Sequence, residues 1–317
     1  VYVKVSILYL IVYFAIIFMT KRSKLMKNIP LSMAKHILIA IISLSLTLLV
    51  DNQSIAQEYK VKTIVLDPGH GGKDGSTRGE YSTEKDVALR TALRLGKAIE
   101  ENMPDVKVIY TRTTDVFVPL YERIGLANQV KADLFISIHC NDMPSYSQRY
   151  ISGYTKNKKG KRVPIYRTRY VKSTSTKGTE TFVSGTGRLG EQDDVIKREN
   201  AAMFLEDNYK ENYEGFDTSD PESAIILSLM KNAFRTQSLK FAKAIQDQYV
   251  SVGRVTRGVK EQSLAVLARA GMPAVLTEIG FISNPAEEDY MNSEAGQTEI
   301  ANCLLKAIQS YKLSIEL

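Results

Sequence analysis

The chain has 317 residues, of which 44% are hydrophobic and 24% charged, with 19 Gly and 9 Pro. Those proportions exclude a collagenous, low-complexity or intrinsically disordered chain and suit one large domain or two small ones. The formal net charge is +7, but residues 1–56 hold six Lys or Arg and one acid, which leaves 36 basic and 34 acidic residues, a net +2, for the rest. The basic excess is therefore no argument for nucleic acid as a partner.

Residues 5–19 are almost wholly apolar and run into Lys21-Arg22-Ser23-Lys24. A second apolar run, 37–50, follows Lys27 and Lys35 and leads to Ser54-Ile55-Ala56 before Gln57. A basic region, an apolar core and a small-x-small site together read as an export signal over 1–56, cut after Ala56. Met26 can open a complete signal by itself, so residues 1–25 either precede the true start or form a membrane anchor. Both apolar runs are shorter than the ~20 residues of a spanning helix. Two cysteines, Cys140 and Cys303, permit a disulfide without requiring one, and Cys140 reads as a small buried residue.

In the remaining chain, residues 63–67 form a short β-run that stops at Pro68 and opens into the glycine-bearing turn Gly69-His70-Gly71-Gly72. Residues 73–83 are a polar loop. Helical spacing of Val87, Leu95 and Ile99 predicts a helix over 84–103, with Thr83 as N-cap. A strand is expected over 106–111, a helix over 119–131 and a fully covered strand over 134–138. Alternation of strand and helix makes the fold class α/β, around a mostly parallel sheet.

The alternation then breaks. Residues 143–177 are polar, with ten Lys or Arg and no acid. They read either as an exposed, solvated insertion or as an electrostatic contact with an acidic polymer or membrane surface. A strand is expected over 179–184, a helix and then a loop over 199–219, and a long helix from 220 to about 250. A strand and turn over 259–268, a short strand over 274–277 ending at Glu278, and helices over 285–290 and 294–312 complete the chain.

Of three histidines, His36 lies in the export signal, so two remain, His70 and His139, each at the end of an expected strand. Ligands of open α/β sheets bind at the carboxyl ends of the strands. A catalytic metal such as zinc takes three protein ligands and keeps one position open. Glu84, at the start of the helix after the first strand, is the best third group and Glu80 the spare; Glu84 can equally be a helix N-terminal carboxylate favoured by the dipole. Glu278, a carboxylate among apolar residues, is either a general base near such a metal or a buried acid paired with Arg123 or Arg269. No Gly-x-Ser-x-Gly, Gly-x-Gly-x-x-Gly, Walker or His-Glu-x-x-His pattern is present, and His139 and Cys140 point to opposite faces of a strand.

The motifs Asp67-Pro68-Gly69-His70-Gly71-Gly72, Glu84, Ser137-Ile138-His139-Cys140-Asn141 and Thr277-Glu278-Ile279-Gly280-Phe281-Ile282-Ser283-Asn284, in this order, resemble the zinc-dependent N-acetylmuramoyl-L-alanine amidases of the AmiC-like cell-wall hydrolase family. Arg123 with Asn128, and Gly178-Thr179-Glu180-Thr181, also fit, and the match runs from about 62 to 310. The resemblance implies a mixed, mostly parallel central sheet flanked by helices, forming a single catalytic domain over 57–317 with an insertion at about 143–222 after the third metal ligand. It implies Zn²⁺ held by His70, Glu84 and His139, Glu278 as the catalytic carboxylate, and Asn141 and Arg123 at the substrate. The reaction implied is hydrolysis of the amide between N-acetylmuramic acid and L-alanine of peptidoglycan, in wall turnover and daughter-cell separation. The location implied is periplasmic or cell-wall associated, and the N-terminal segment offers a contact with the membrane. Division-associated members suggest that residues 199–213 form a helix covering the metal, with Glu206 or a neighbouring acid near it, until an activator protein withdraws it. On the residues alone, a zinc deacetylase or peptidase acting on another bond of the polymer, and a non-catalytic wall-binding regulator, remain alternatives.

Overall fold

The computed structural model describes residues 60–143, 145–185, 194–213 and 221–316. The expected export signal over 1–56, and residues 214–219 of the helix and loop expected over 199–219, lie outside them. Among the described residues no helix is long and apolar enough to cross a membrane.

A six-stranded sheet organises the chain, in the order β2 (Lys107–Tyr110), β1 (Thr63–Pro68), β3 (Leu134–Asn141), β8 (Ala274–Phe281), β6 (Thr179–Ser184), β7 (Thr256–Gln262). The first four strands run parallel; β6 is antiparallel to β8 and parallel to β7. The sheet is thus mixed and mostly parallel, as the α/β pattern and the motifs imply.

Strand parity sorts the side chains into two layers. Ile64, Leu66, Ile136, Ile138, Val275 and Ile279 pack on one face against α1 (Glu84–Asn102), α5 (Pro221–Ser251) and α7 (Glu294–Glu316). Val65, Phe135, Phe182 and Leu276 pack on the other against α2 (Leu120–Gln129) and a turn of 3₁₀ helix at Ala265–Leu267. That second layer is completed by α3 (Asp194–Asn200), the 3₁₀ turn Ala201–Leu205 and α4 (Tyr209–Asn212), with Ala202, Met203 and Tyr213 in its core. The same parity sends Asp67, Ser137, His139, Glu180 and Glu278 to this second face.

Two strands run further than hydrophobicity predicts. β3 continues through His139 to Asn141, and β8 through Glu278 to Phe281. Ladder partners on both sides fix these backbones, so polar side chains at the strand ends do not stop them. His139 and Glu278 face each other as register partners in the parallel β3–β8 pair. The basic stretch is also ordered differently from a simple solvated insertion: β4 (Ser145–Lys156) and β5 (Arg162–Lys172) form an antiparallel hairpin apart from the main sheet. It closes through a turn in which Asn157 N–H donates to Lys161 O at 2.9 Å and Gly160 takes a φ of 77°. The remaining helix is α6 (Pro285–Asn292), capped by Asn284.

Beneath the β1 turn, Arg123 and Asp67 form a buried ion pair at 2.8 Å, each 1% exposed. Burial works to raise the Asp67 pKa, but the Arg123 charge and hydrogen bonds from Ser137 and Thr111 hold it below the usual carboxylate value. Asp67→Ala leaves the guanidinium buried without its counter-ion and is expected to cost about 3–5 kcal/mol in urea unfolding. Because the folded pKa is depressed, the carboxylate's stabilisation is present above the unfolded value near ~3.9 and is lost as pH falls through the folded value. The gap between wild type and variant should therefore close in strong acid.

Candidate metal centre

His70 sits at φ 58°, in the left-handed region, within a turn whose neighbours Gly71 and Gly72 also have positive φ. A β-branched or bulky residue rarely holds such a conformation unaided, and two arginines hold this one. Arg123 donates to the carbonyls of Val118, Pro68 and His70, and Arg112 to those of Pro68, Gly69, Thr114 and Lys85. Gly69 N–H donates to Ile138 O at 2.9 Å, which ties the turn to β3. A Cβ on Gly69 would lie 2.4–2.7 Å from three atoms of the His139 ring, so glycine here is what lets that imidazole lie over the β1 turn.

Glu84 enters from the first residue of α1. Its Oε1 accepts from Cys140 N–H at 3.0 Å, and its Oε2 from Thr77 Oγ1 at 2.7 Å and Thr77 N–H at 3.2 Å. The loop before it is fastened by Glu288 of α6, whose carboxylate accepts from the N–H groups of Glu80, Tyr81 and Ser82 and from Ser82 Oγ. Glu80, the spare ligand, is exposed on that loop. Both readings of Glu84 are met at once: it begins a helix and also points into the site.

His70, Glu84, His139 and Glu199 present ligand atoms within 4.8 Å of one another, all four residues buried. His70 Nε2 lies 3.2 Å from Glu84 and 3.3 Å from Glu199; His139 Nδ1 lies 3.1 Å from Glu84 and 2.8 Å from Glu199. The other ring nitrogens are held from behind. His70 Nδ1 donates to Asp74 at 2.8 Å, and His139 Nε2 is 3.2 Å from Ser137 Oγ, which itself donates to Asp67 at 2.6 Å. That bonding turns His70 Nε2 and His139 Nδ1 toward the centre, the arrangement in which imidazole ligates metal. His70 Nε2 and Glu199 Oε2 are buried with no hydrogen-bond partner. Two imidazoles and two carboxylates converging on one point, with unsatisfied donor atoms, fit a divalent cation.

The electrostatics agree. Burial opposes charge on both imidazoles, yet the surrounding carboxylates overcome it: His70 is raised well above its ordinary value, chiefly by Glu84, and His139 is raised to about 9, chiefly by Glu199. Glu84 and Glu199, whose burial alone would raise them, are both held below the ordinary carboxylate range by the histidines, Glu199 also by Arg198. Positive charge is thus strongly favoured at this point. Glu278, fully buried beside His139, moves the other way: burial and the Glu199 and Glu84 charges raise its pKa well above the ordinary value, against the pull of Arg198. Its Oε2 has no partner, while Oε1 lies 3.3 Å from Arg198. Burial and the same acids push the Cys140 thiol up, which keeps it protonated.

Three expectations are corrected by these positions. Glu206 is not in the cluster; its carboxylate accepts from Leu120 N–H at 2.7 Å and Tyr213 O–H at 2.8 Å and anchors the 201–213 segment to α2. The acid of that segment that reaches the centre is Glu199. Arg123 is 1% exposed with its donors committed to Asp67 and to backbone carbonyls, so it positions the turn and cannot touch a substrate. The arginine at Glu278 is Arg198, neither Arg123 nor Arg269. Asn141 lies at the floor beside these groups, donating to Glu180 at 3.1 Å and accepting from Arg198 at 3.2 Å. Asp74, Arg198 and Glu199 went unnamed as site residues. Asp74, four residues after His70, carried a local signal; the other two lie in a polar stretch with none.

Comparison with known proteins follows from this geometry. The family model described as N-acetylmuramoyl-L-alanine amidase matches residues 64–310. N-acetylmuramoyl-L-alanine amidase AmiC of Escherichia coli O6:H1 is 32% identical over 251 residues, 78% of this chain and 52% of that protein. The chain spans about half the length of the first curated relatives it matches. Among solved structures, an N-acetylmuramoyl-L-alanine amidase from Clostridium difficile 630 aligns with a TM-score of 0.51 at 24% identity, covering 80% of this chain and 97% of that one. The CwlD amidase from Clostridioides difficile, solved in complex with the GerS lipoprotein, aligns with a TM-score of 0.50 at 23% identity, covering 80% and 99%. At these identities the solved structures establish the shared fold.

Gly69→Ala should push the His139 ring out of place and weaken divalent-metal binding by about 10–100-fold, the usual cost of disturbing a ligand's support. Gly75→Ala, where an added Cβ meets nothing within 4 Å, should leave affinity unchanged. Competition against a chromogenic chelator measures both.

Proposed function

The chain belongs to the N-acetylmuramoyl-L-alanine amidase family, and from that membership we propose that it hydrolyses the amide bond between N-acetylmuramic acid and L-alanine of peptidoglycan, using zinc held by His70, Glu84 and His139. The observation that carries the proposal is the pairing, across one register position of the β3–β8 ladder, of the converging ligand cluster with a buried carboxylate, Glu278, whose second oxygen is free. When bound, zinc supplies Lewis acidity, lowering the pKa of water toward ~7 and polarising the scissile carbonyl.

The protein's own groups do the rest. Glu278, with a carboxyl pKa raised by burial and by neighbouring acids, holds a proton more tightly than an ordinary glutamate. It takes the proton from the attacking water and passes it to the departing nitrogen, one group serving as base and then acid. Asp74 and Ser137 fix the two imidazoles by their outer nitrogens, so neither ring has to reorganise. Asn141 sits beside Glu278, with its amide oriented by Glu180 and Arg198.

Glu199 and Arg198 occupy this machinery together. Glu199 lies against both histidines, and Arg198 ties it at 2.8 Å while reaching Glu278 at 3.3 Å. A substrate carbonyl needs the position at the centre where the Glu199 carboxylate lies, and the Arg198 charge beside Glu278 lowers its pKa and so makes it a weaker base toward water. We read α3 and the turn after it as a plug that holds the enzyme off, with an activator protein to withdraw it. The Clostridioides relative solved with a lipoprotein is a precedent for a protein partner. Export to the periplasm or wall, and a role in wall turnover and daughter-cell separation, belong to the same proposal.

Digestion of purified peptidoglycan with the zinc-loaded protein should release stem peptides beginning at L-alanine, read by mass spectrometry. Glu278→Gln should lower the rate about 10²–10⁴-fold with metal binding retained; equal rates would remove Glu278 from the chemistry. Glu199→Ala should raise the rate of the isolated protein at least about tenfold, because a 1.4 kcal/mol loss of plug affinity already shifts its occupancy by that factor. A slower Glu199→Ala enzyme would make Glu199 a working part of the site instead of a plug.

A further inference from the structure

The β4–β5 hairpin takes no part in the centre just described, and nothing in the main sheet needs it. It is a ribbon of 12- and 11-residue strands. At about 3.4 Å per residue it reaches roughly 40 Å. Both of its faces are exposed, with Tyr146, Tyr150, Tyr154, Tyr166 and Tyr170 all among the exposed large side chains. An isolated two-stranded hairpin is marginal in water, and exposed apolar surface of this extent marks an interaction site.

The charge is one-sided. Between residues 145 and 172 there are nine Lys or Arg and no acid. Among the described residues only Lys172, at the root, is paired with an acid, Asp142 at 2.7 Å. Three of the others lie over the rings: Arg149 over Tyr166 at 4.0 Å and Arg162 over Tyr154 at 4.1 Å on one face, and Arg169 over Tyr150 at 5.4 Å on the other. The pairing register places these stacks on opposite faces of the ribbon. These three guanidinium groups stand over tyrosine rings on the surface of the ribbon, Arg169 also donating to Gln148 Oε1 at 2.9 Å.

We propose that this hairpin is a docking ribbon for a linear polyanion, a polyol or sugar chain joined by phosphodiesters and lying beside the peptidoglycan. Cations on both faces suit a strand that can wrap, whereas a flat membrane would meet one face only. Tyrosine rings suit the C–H surfaces of polyol and sugar units, which lie between the charges of such a polymer. A second copy of the ribbon is repelled, since neither copy has an acid to offer. The root lies at the centre: Lys172 bonds Asp142 and the carbonyl of Arg78, next to Asn141 and to the loop before Glu84. A polymer on the ribbon therefore holds the catalytic face against the wall. The idea rests on the amidase reading only for which polymer is at hand.

Binding of the full chain to fluorescently labelled poly(glycerol phosphate), followed by anisotropy without any turnover, tests it independently of catalysis. Affinity should fall roughly hundredfold between 50 and 200 mM salt, as counter-ion release on about five cations requires. Replacing Lys158, Lys159, Lys161 and Arg162 together by Gln should weaken binding at least tenfold and flatten the salt dependence, with metal uptake unchanged. Tyr154→Ser with Tyr166→Ser should weaken binding while keeping the salt slope. The proposal is overturned if the polymer does not bind or if the four-Gln variant binds it equally. It is overturned in favour of a membrane surface if phosphatidylglycerol vesicles bind more tightly at equal phosphate. A concentration-dependent dimer in sedimentation, abolished in the four-Gln variant, overturns it in favour of self-association.

Discussion

Two buried guanidinium groups under one turn are the constraint on which the rest of the centre depends. The segment from Gly69 to Gly72 has no apolar side chain with which to pack itself, and it holds His70 in a left-handed conformation, uncommon for a residue other than glycine. Arg112 and Arg123 replace the missing core by saturating its carbonyls. A buried arginine is tolerable only when its charge and most of its donors are satisfied, and Asp67 supplies the charge. Asp67 then holds Ser137, and Ser137 backs His139. One network therefore sets both imidazoles, although they come from different strands.

Around that network, burial acts on every ionisable group and the neighbours decide the sign. Glu84 and Glu199 are driven down because they face imidazoles; Glu278, one strand over, is driven up by burial, which the carboxylates it faces reinforce. Three glutamates in one pocket thus divide into acids that favour positive charge and one, the proposed proton carrier, that disfavours its own ionisation. Arg198 is the hinge of this arrangement, since it touches a member of each class. Moving α3 changes the state of the ligand cluster and of the proton carrier in a single step.

The sheet, its helices and the convergence of His70, Glu84 and His139 were legible in the sequence because each rests on a local signal: a strand ending in Pro-Gly-His, a helix opening on an acid, a mostly apolar run before a histidine. The ends of β3 and β8 were not, because there the ladder overrides side-chain polarity. Arg123 is expected at the substrate only because the family resemblance implies it. Its burial comes from a carbonyl-rich turn more than 50 residues earlier, which no local pattern announces. Glu199 and Glu206 are indistinguishable as letters in an acidic stretch; only the path of the chain after β6 brings one to the histidines and the other to α2. The hairpin was hidden by its polarity, since strands mixing Arg and Tyr with both faces wet lack the alternation by which strands are read.

The order of strands has a consequence in time. β8, which carries Glu278, lies between β3 and β6 in the sheet, yet it is made after both. Until it arrives, β3 has an open edge, β6 lacks its antiparallel partner, and His139 faces no carboxylate across the ladder. A chain emerging from its N-terminus can bring His70, Glu84 and His139 together early, but Glu278 joins them only after β6 and β7 have been made. The site is in this sense begun on one pair of strands and completed by a strand made much later, so a chain halted before β8 would hold the converging ligands without the carboxylate that faces them.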